Sequence, residues 1–181
     1  MALGASAEKT KMFRNATLPK FFLMLAIAAG ACFAHAANPP KASANPQKTS
    51  LVQWLKYDDA LAKAKKEPKL IFVDMFADWC VPCHVMDKNV YMNPTVANTL
   101  NKKFYAVKLD ADSQDTISCD GVRNTVKKCF SEVWELYALP AFVLAAPKGL
   151  SILTVTDSMF PQEMMSLLDK FLEKEKEWIE R

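Results

Sequence analysis

From residue 51 onward the apolar positions fall into blocks that alternate between two periods. Residues 69–76, K-L-I-F-V-D-M-F, are a compact, largely β-favouring run that predicts a buried strand with one acid, Asp74, inside it. Residues 104–110, F-Y-A-V-K-L-D, predict a second strand with Lys108 embedded in it. A-F-V-L-A-A at 141–146 and L-S-I-L-T-V-T at 150–156 are joined by Pro147-Lys148-Gly149 and predict a hairpin. Residues 52–55, V-Q-W-L, predict a further short strand.

Helical spacing fills the gaps. It is expected over 58–67, closed by Pro68; from Cys80 toward Tyr91; after Asn93-Pro94; over 131–137; and from Pro161, where Met164, Leu167, Leu168, Phe171 and Leu172 share one face. The order of elements implies a mixed sheet covered by helices on both sides. Between the second strand and the 131–137 helix, residues 111–130 are polar and contain Gly121.

The first 50 of the 181 residues do not share this pattern. Lys9, Lys11, Arg14 and Lys20 precede a 13-residue apolar run, F-F-L-M-L-A-I-A-A-G-A-C-F, that ends in Ala34-His35-Ala36. This predicts a secretory signal cleaved after Ala36, with Met12 as an alternative start. The run is shorter than the roughly 20 residues that cross a bilayer, which disfavours an uncleaved anchor. Cys32 lies inside it and is read as a removed residue, since Ala29 stands where a lipoprotein acceptor would want Leu, Ile or Val. Residues 37–50, A-N-P-P-K-A-S-A-N-P-Q-K-T-S, hold three prolines and little apolar surface and predict a flexible tether. The expected organisation is a signal at 1–36, a tether at 37–50 and one domain at 51–181, with an insertion at about 111–130.

Charge adds little to this picture. Cleavage removes four of the 23 basic and one of the 20 acidic residues, leaving 19 of each. A balanced domain has no electrostatic footprint for nucleic acid, and none is expected as a partner. Export also places Cys80, Cys83, Cys119 and Cys129 where disulfides persist, and four cysteines admit three pairings.

Candidate chemistry concentrates at 76–84, F-A-D-W-C-V-P-C-H. Cys80-Val81-Pro82-Cys83-His84 fits both C-x-x-C-H, a c-type haem attachment, and C-x-x-C, a redox dithiol. The surroundings separate the two. A haem tether needs no buried strand leading into the motif, whereas a strand running into cysteines at a helix start places thiols where backbone N–H groups and the helix dipole stabilise a thiolate. On this reading Cys80 is the exposed nucleophile, Cys83 resolves the mixed disulfide one turn later, and Pro82 stiffens the turn.

V-D-M-F-A-D-W-C-V-P-C resembles the active-site strand and loop of the thioredoxin family, particularly periplasmic members such as the C-terminal domain of the transmembrane disulfide reductase. The resemblance covers most of 51–179. It implies an α/β thioredoxin fold with a central mixed sheet of four to five strands flanked by helices on both faces. It assigns Asp74, six residues before the first cysteine, to proton transfer with the second thiol, and Lys108 to the neighbouring strand lysine. Leu139-Pro140-Ala141 matches the cis-proline that faces the dithiol, with Ala141 in place of a common threonine. Trp79 takes the shielding position, so that Trp79, Val81, Pro82 and Leu139 would line the substrate groove, while His84 replaces a frequent lysine and is read as a surface residue. The resemblance further implies protein thiols and disulfides as substrates, a membrane electron donor, periplasmic clients and no cofactor.

Cys119 and Cys129 fall outside the common thioredoxin pattern. One continuous helix would hold their sulfurs about 15 Å apart, but around Asp120-Gly121 the chain can turn back, and a structural disulfide is expected. A second redox pair or a regulatory switch is the alternative; a four-thiolate zinc site would consume the nucleophile, so no metal is expected. The function expected is a thiol-disulfide oxidoreductase acting as a reductant, with an oxidase, an isomerase or a redox-inactive binding module as the other readings.

Overall fold

A computed structural model of the protein describes residues 51–180. The expected signal, cleavage point and tether lie outside the described residues. The elements in order are α1 (Tyr57–Lys66), β1 (Leu70–Phe76), α2 (Val81–Asn89), α3 (Pro94–Lys103), β2 (Phe104–Asp110), β3 (Thr116–Cys119), β4 (Val122–Thr125), α4 (Val126–Lys128) running into a π-helical turn (Cys129–Val133), β5 (Ala141–Ala145), β6 (Ser151–Thr156), α5 (Pro161–Leu172) and α6 (Glu175–Glu180).

Four strands form one sheet in the order β2-β1-β5-β6. β1 pairs in parallel with β2, with Asp74 directly opposite Lys108, and antiparallel with β5. As a central strand its first six residues are buried, which explains its near-continuous apolar run. Its side chains alternate between the two faces. Ile71, Val73 and Met75 join α1, Val107, Val143 and the 117–136 region in one core; Leu70 and Phe72 join Met86, Leu100, Phe142, Met164 and Leu168 in the other. Asp74 is in step with Leu70 and Phe72, and therefore projects to the face covered by α2, α3 and α5.

The helices carry their own start signals. Asp58 and Asp59 open α1, whose last turn holds Lys63, Lys65 and Lys66, a distribution that complements the helix dipole. The Asn93 side chain accepts from the N–H groups of Thr95 and Val96 at the head of α3, with Pro94 next to it. In α5 the Glu163 carboxylate accepts from the Phe160 N–H.

Two expected elements differ. Residues 52–55 form no strand: Leu55 makes a single parallel bridge to Val107, and the Gln53 N–H donates to Asn101 Oδ1 instead of to a ladder. The helix expected at 131–137 starts earlier, because Thr125 Oγ1 accepts from Lys128 N and caps the chain there. It ends before Glu135, whose φ of 52° lies in the left-handed region.

The 111–130 segment is built rather than loose. β3 and β4 form a hairpin turned by Asp120 and Gly121, both at positive φ, and the Asp120 carboxylate accepts from Ser151 N and from Ser151 Oγ. Cys119 and Cys129 are bonded, with 6.0 Å between their Cα atoms, and both are fully buried. The bond ties the end of β3 to the π-helical turn across a sequence separation of 10. Removing both thiols (Cys119→Ala with Cys129→Ala) is expected to lower the unfolding free energy by about 2–3 kcal/mol through loop closure. Urea unfolding checks this; an unchanged midpoint would deny the bond a structural role.

Candidate active site

β1 ends at Phe76, the chain crosses Ala77-Asp78-Trp79, and α2 begins at Val81 with Cys80 as its N-cap. The Cys83 N–H donates to Cys80 Sγ at 3.3 Å. Pro82 lies in the first turn, where its missing N–H costs nothing. Cys80 and Cys83 are joined by a disulfide, with 5.3 Å between Cα atoms. The expectation of an exposed Cys80 needs correction: in this bonded state it is only 2% exposed and Cys83 3%, because both pack with Ala77 against Phe76 and Leu139. The flanking side chains are the open ones, Trp79 at 68% and Val81 at 70%.

A charged cluster runs from the buried strand that leads into the dithiol to the partly exposed side chains of Lys108 and Asp87. Asp74 is buried, its Oδ2 lies 3.1 Å from Lys108 Nζ, and its Oδ1 accepts from the Tyr91 hydroxyl at 2.8 Å. Lys108 Nζ also pairs with Asp87 on α2. The ammonium lies over three aromatic rings, 4.9 Å from the Phe76 centroid, 5.4 Å from Tyr91 and 5.5 Å from Trp54. Burial pushes the Asp74 carboxyl above its ordinary range, opposed by the Lys108 charge and by the hydrogen bonds from Tyr91 and Lys108, and reinforced by Asp87. Burial, with the adjoining Asp74 charge, likewise holds the Tyr91 phenol well above its usual value. Neither Asp74 nor Lys108 is therefore a solvated strand position.

The Leu139–Pro140 peptide bond is cis, and Pro140 is buried at the start of β5. Leu139 lies against the cysteines. On the other flank Trp79 Nε1 donates to Asp112 Oδ2 at 2.7 Å, which fixes the indole beside the motif. Trp79, Phe130, Tyr137 and Leu139 border a cleft of about 240 Å³, and Tyr137 is 89% exposed. His84 Nε2 is 2.9 Å from the Asp78 carbonyl, so its ring turns back on the loop.

Three residues of this site were not singled out in the sequence: Asp87, Tyr91 and Asp112. A signal existed for Asp87, which follows Cys83 by four residues and so shares its helix face. Tyr91 lies beyond the end of α2 and Asp112 in a turn, so only the tertiary register brings them in.

A C-x-x-C pair at the head of the helix that follows a central strand of a β2-β1-β5-β6 sheet defines a thioredoxin-like domain. Residues 42–175 match the family model Thioredox_DsbH, described as "Protein of unknown function, DUF255", and the chain belongs to that family. It is similar to the thiol:disulfide interchange protein DsbD 2 of Pseudomonas aeruginosa, 39% identical over 61 residues, covering 34% of this chain and 10% of that protein. Similarity to DsbD 1 of the same organism is 27% over 113 residues, covering 62% of this chain and 17% of that one. The chain thus spans only a small part of these curated relatives. Its fold is similar to that of a thioredoxin from Thermus thermophilus, with a TM-score of 0.55 at 21% identity, covering 68% of this chain and 88% of that one.

Proposed function

We propose that this protein is an exported reductant of protein disulfides that works through the Cys80-Val81-Pro82-Cys83 dithiol. The observation that carries the proposal is the bonded cysteine pair at the head of α2 with a buried carboxyl, Asp74, whose burial pushes its pKa upward, on the strand that leads into it. Reduced Cys80, as thiolate, attacks one sulfur of a client disulfide; a mixed disulfide forms and the client's other sulfur leaves as a thiolate. The Cys83 thiol then passes its proton to Asp74 and attacks Cys80 Sγ. The Cys80–Cys83 bond forms, the second client thiolate leaves, and two electrons have moved from the dithiol to the client. A dithiol donor, by resemblance a membrane protein, returns the pair to the reduced state.

The remaining residues take supporting roles. Lys108 steadies the Asp74 carboxylate at 3.1 Å. Pro140 and Leu139 shape the wall beside the cysteines, where the backbone before a proline can pair with an extended client segment, and Trp79, Val81 and Pro82 form the opposite rim. The Cys119–Cys129 bond holds the insertion in shape.

The direction of electron flow is supported by charge. A strong oxidant is one whose reduced form is stabilised. Here the ammonium of the cluster is shared by two carboxylates, Asp74 and Asp87, which leaves the helix N-terminus and the Cys83 N–H to favour a thiolate. Equilibration against glutathione is expected to place the Cys80/Cys83 couple below about −220 mV. A value near about −120 mV would identify an oxidant, and no exchange at all a binding module.

A further inference from the structure

Tyr91 is fully packed, has no place in the proposed exchange, and yet spends its one hydroxyl on the carboxyl that does. Its O–H donates to Asp74 Oδ1 at 2.8 Å, while Lys108 takes Oδ2 at 3.1 Å. The carboxyl is therefore held at both oxygens by groups from different elements, Lys108 from β2 and Tyr91 from the turn after α2. The ring is fixed in turn: it meets Trp54 edge-on at 5.0 Å and lies under the Lys108 ammonium at 5.4 Å. A tyrosine 1% exposed satisfies its hydroxyl or leaves it orphaned, and this one is satisfied only by Asp74 among the described contacts.

We propose that Tyr91 is a positioning residue for the exchange reaction, whose hydroxyl orients Asp74 and sets the pH range in which that carboxylate accepts the Cys83 proton. This rests on the role of Asp74 given above. The sign follows from the direction of donation. A hydrogen bond given to a carboxylate favours the ionised form, so it counteracts the burial that pushes the Asp74 carboxyl upward. The charged and titratable groups facing Asp74 are Lys108 from β2, Asp87 from α2 and Tyr91 itself. Lys108 is committed to Asp87 as well, so it does not replace a lost Tyr91 bond.

Tyr91→Phe isolates the hydroxyl, since the ring, its contact with Trp54 and its face toward Lys108 all remain. In single-turnover reduction of a disulfide-bonded peptide, the limb of the pH–rate profile that reports resolution is expected to move to higher pH by about one unit, an effect of about tenfold on the limb that vanishes well above it. Carboxyl-carbon NMR titration of Asp74 in the disulfide form is expected to shift upward alike, and needs no activity. A folded Tyr91→Phe protein with an unmoved Asp74 titration overturns the proposal, whatever the exchange assay gives. If Asp74 titrates higher but the rate limb stays in place, Tyr91 holds the carboxyl and Asp74 is not the acceptor, which overturns the proposed exchange role of both. In an Asp74→Asn background the Tyr91→Phe effect on rate is expected to disappear; an equal slowing there would mean that Tyr91 acts by another route.

Discussion

Cys83→Ser is expected to halt the reaction halfway, leaving Cys80 covalently attached to its client. Without a second thiol the mixed disulfide cannot be resolved internally, so discrete protein adducts should accumulate that disappear on treatment with dithiothreitol. Cys80→Ser is expected to give no adducts and no exchange above background. The difference is set by position: Cys80 is the N-cap of α2 and its sulfur receives the Cys83 N–H, whereas Cys83 lies one turn inside the helix. Both are closed off while bonded, but either single variant lacks that bond, so its remaining thiol is free to react. Adducts formed equally by the two variants would show that the order of attack is wrong. Their absence from Cys83→Ser with every disulfide substrate offered would remove the exchange mechanism altogether.

The parts of this site that could be read in the sequence are those fixed by local chemistry. The 104–110 run could be placed as β2 from its cluster of apolar residues, and Asp74 stood out as the one acid inside the apolar strand that leads into the cysteines, its role coming from the family resemblance. What stayed hidden was set by partners distant in sequence. The 116–125 hairpin has two four-residue strands, T-I-S-C and V-R-N-T, of which only Ile117 and Cys119 are buried, too short a pattern to announce a period. Residues 52–55 carried the right composition for a strand, but the Asn101 side chain takes the N–H that a ladder would need. Tyr91 reads as an ordinary core aromatic until its hydroxyl is found on Asp74. Even the apparent haem signature dissolves through geometry, since the His84 ring bonds back to the Asp78 carbonyl.

Asp74→Asn is expected to move stability and activity in opposite directions. In the unfolded chain this carboxyl ionises near its ordinary 3.8, while burial in the folded protein raises that value. Between the two values the folded state binds a proton that the unfolded state has released, so stability falls as pH rises through that interval and stays lowered above it. Each pH unit of displacement corresponds to about 1.4 kcal/mol. Asparagine removes the titration, and Lys108 keeps Asp87 as a counter-ion, so no unpaired charge is left behind. The variant is therefore expected to unfold at higher denaturant than the parent at pH 8, with the advantage gone below about pH 4. Resolution of the mixed disulfide is expected to slow by about 10²-fold at neutral pH, because the acceptor for the Cys83 proton is gone. A variant less stable than the parent at pH 8 would mean that the Lys108 pairing outweighs desolvation. One that resolves at the parental rate would mean that the proton leaves Cys83 without Asp74. The cost of keeping an ionisable group in this core is then the reason to assign it work: a carboxyl that only filled space there would be replaced without loss by its amide.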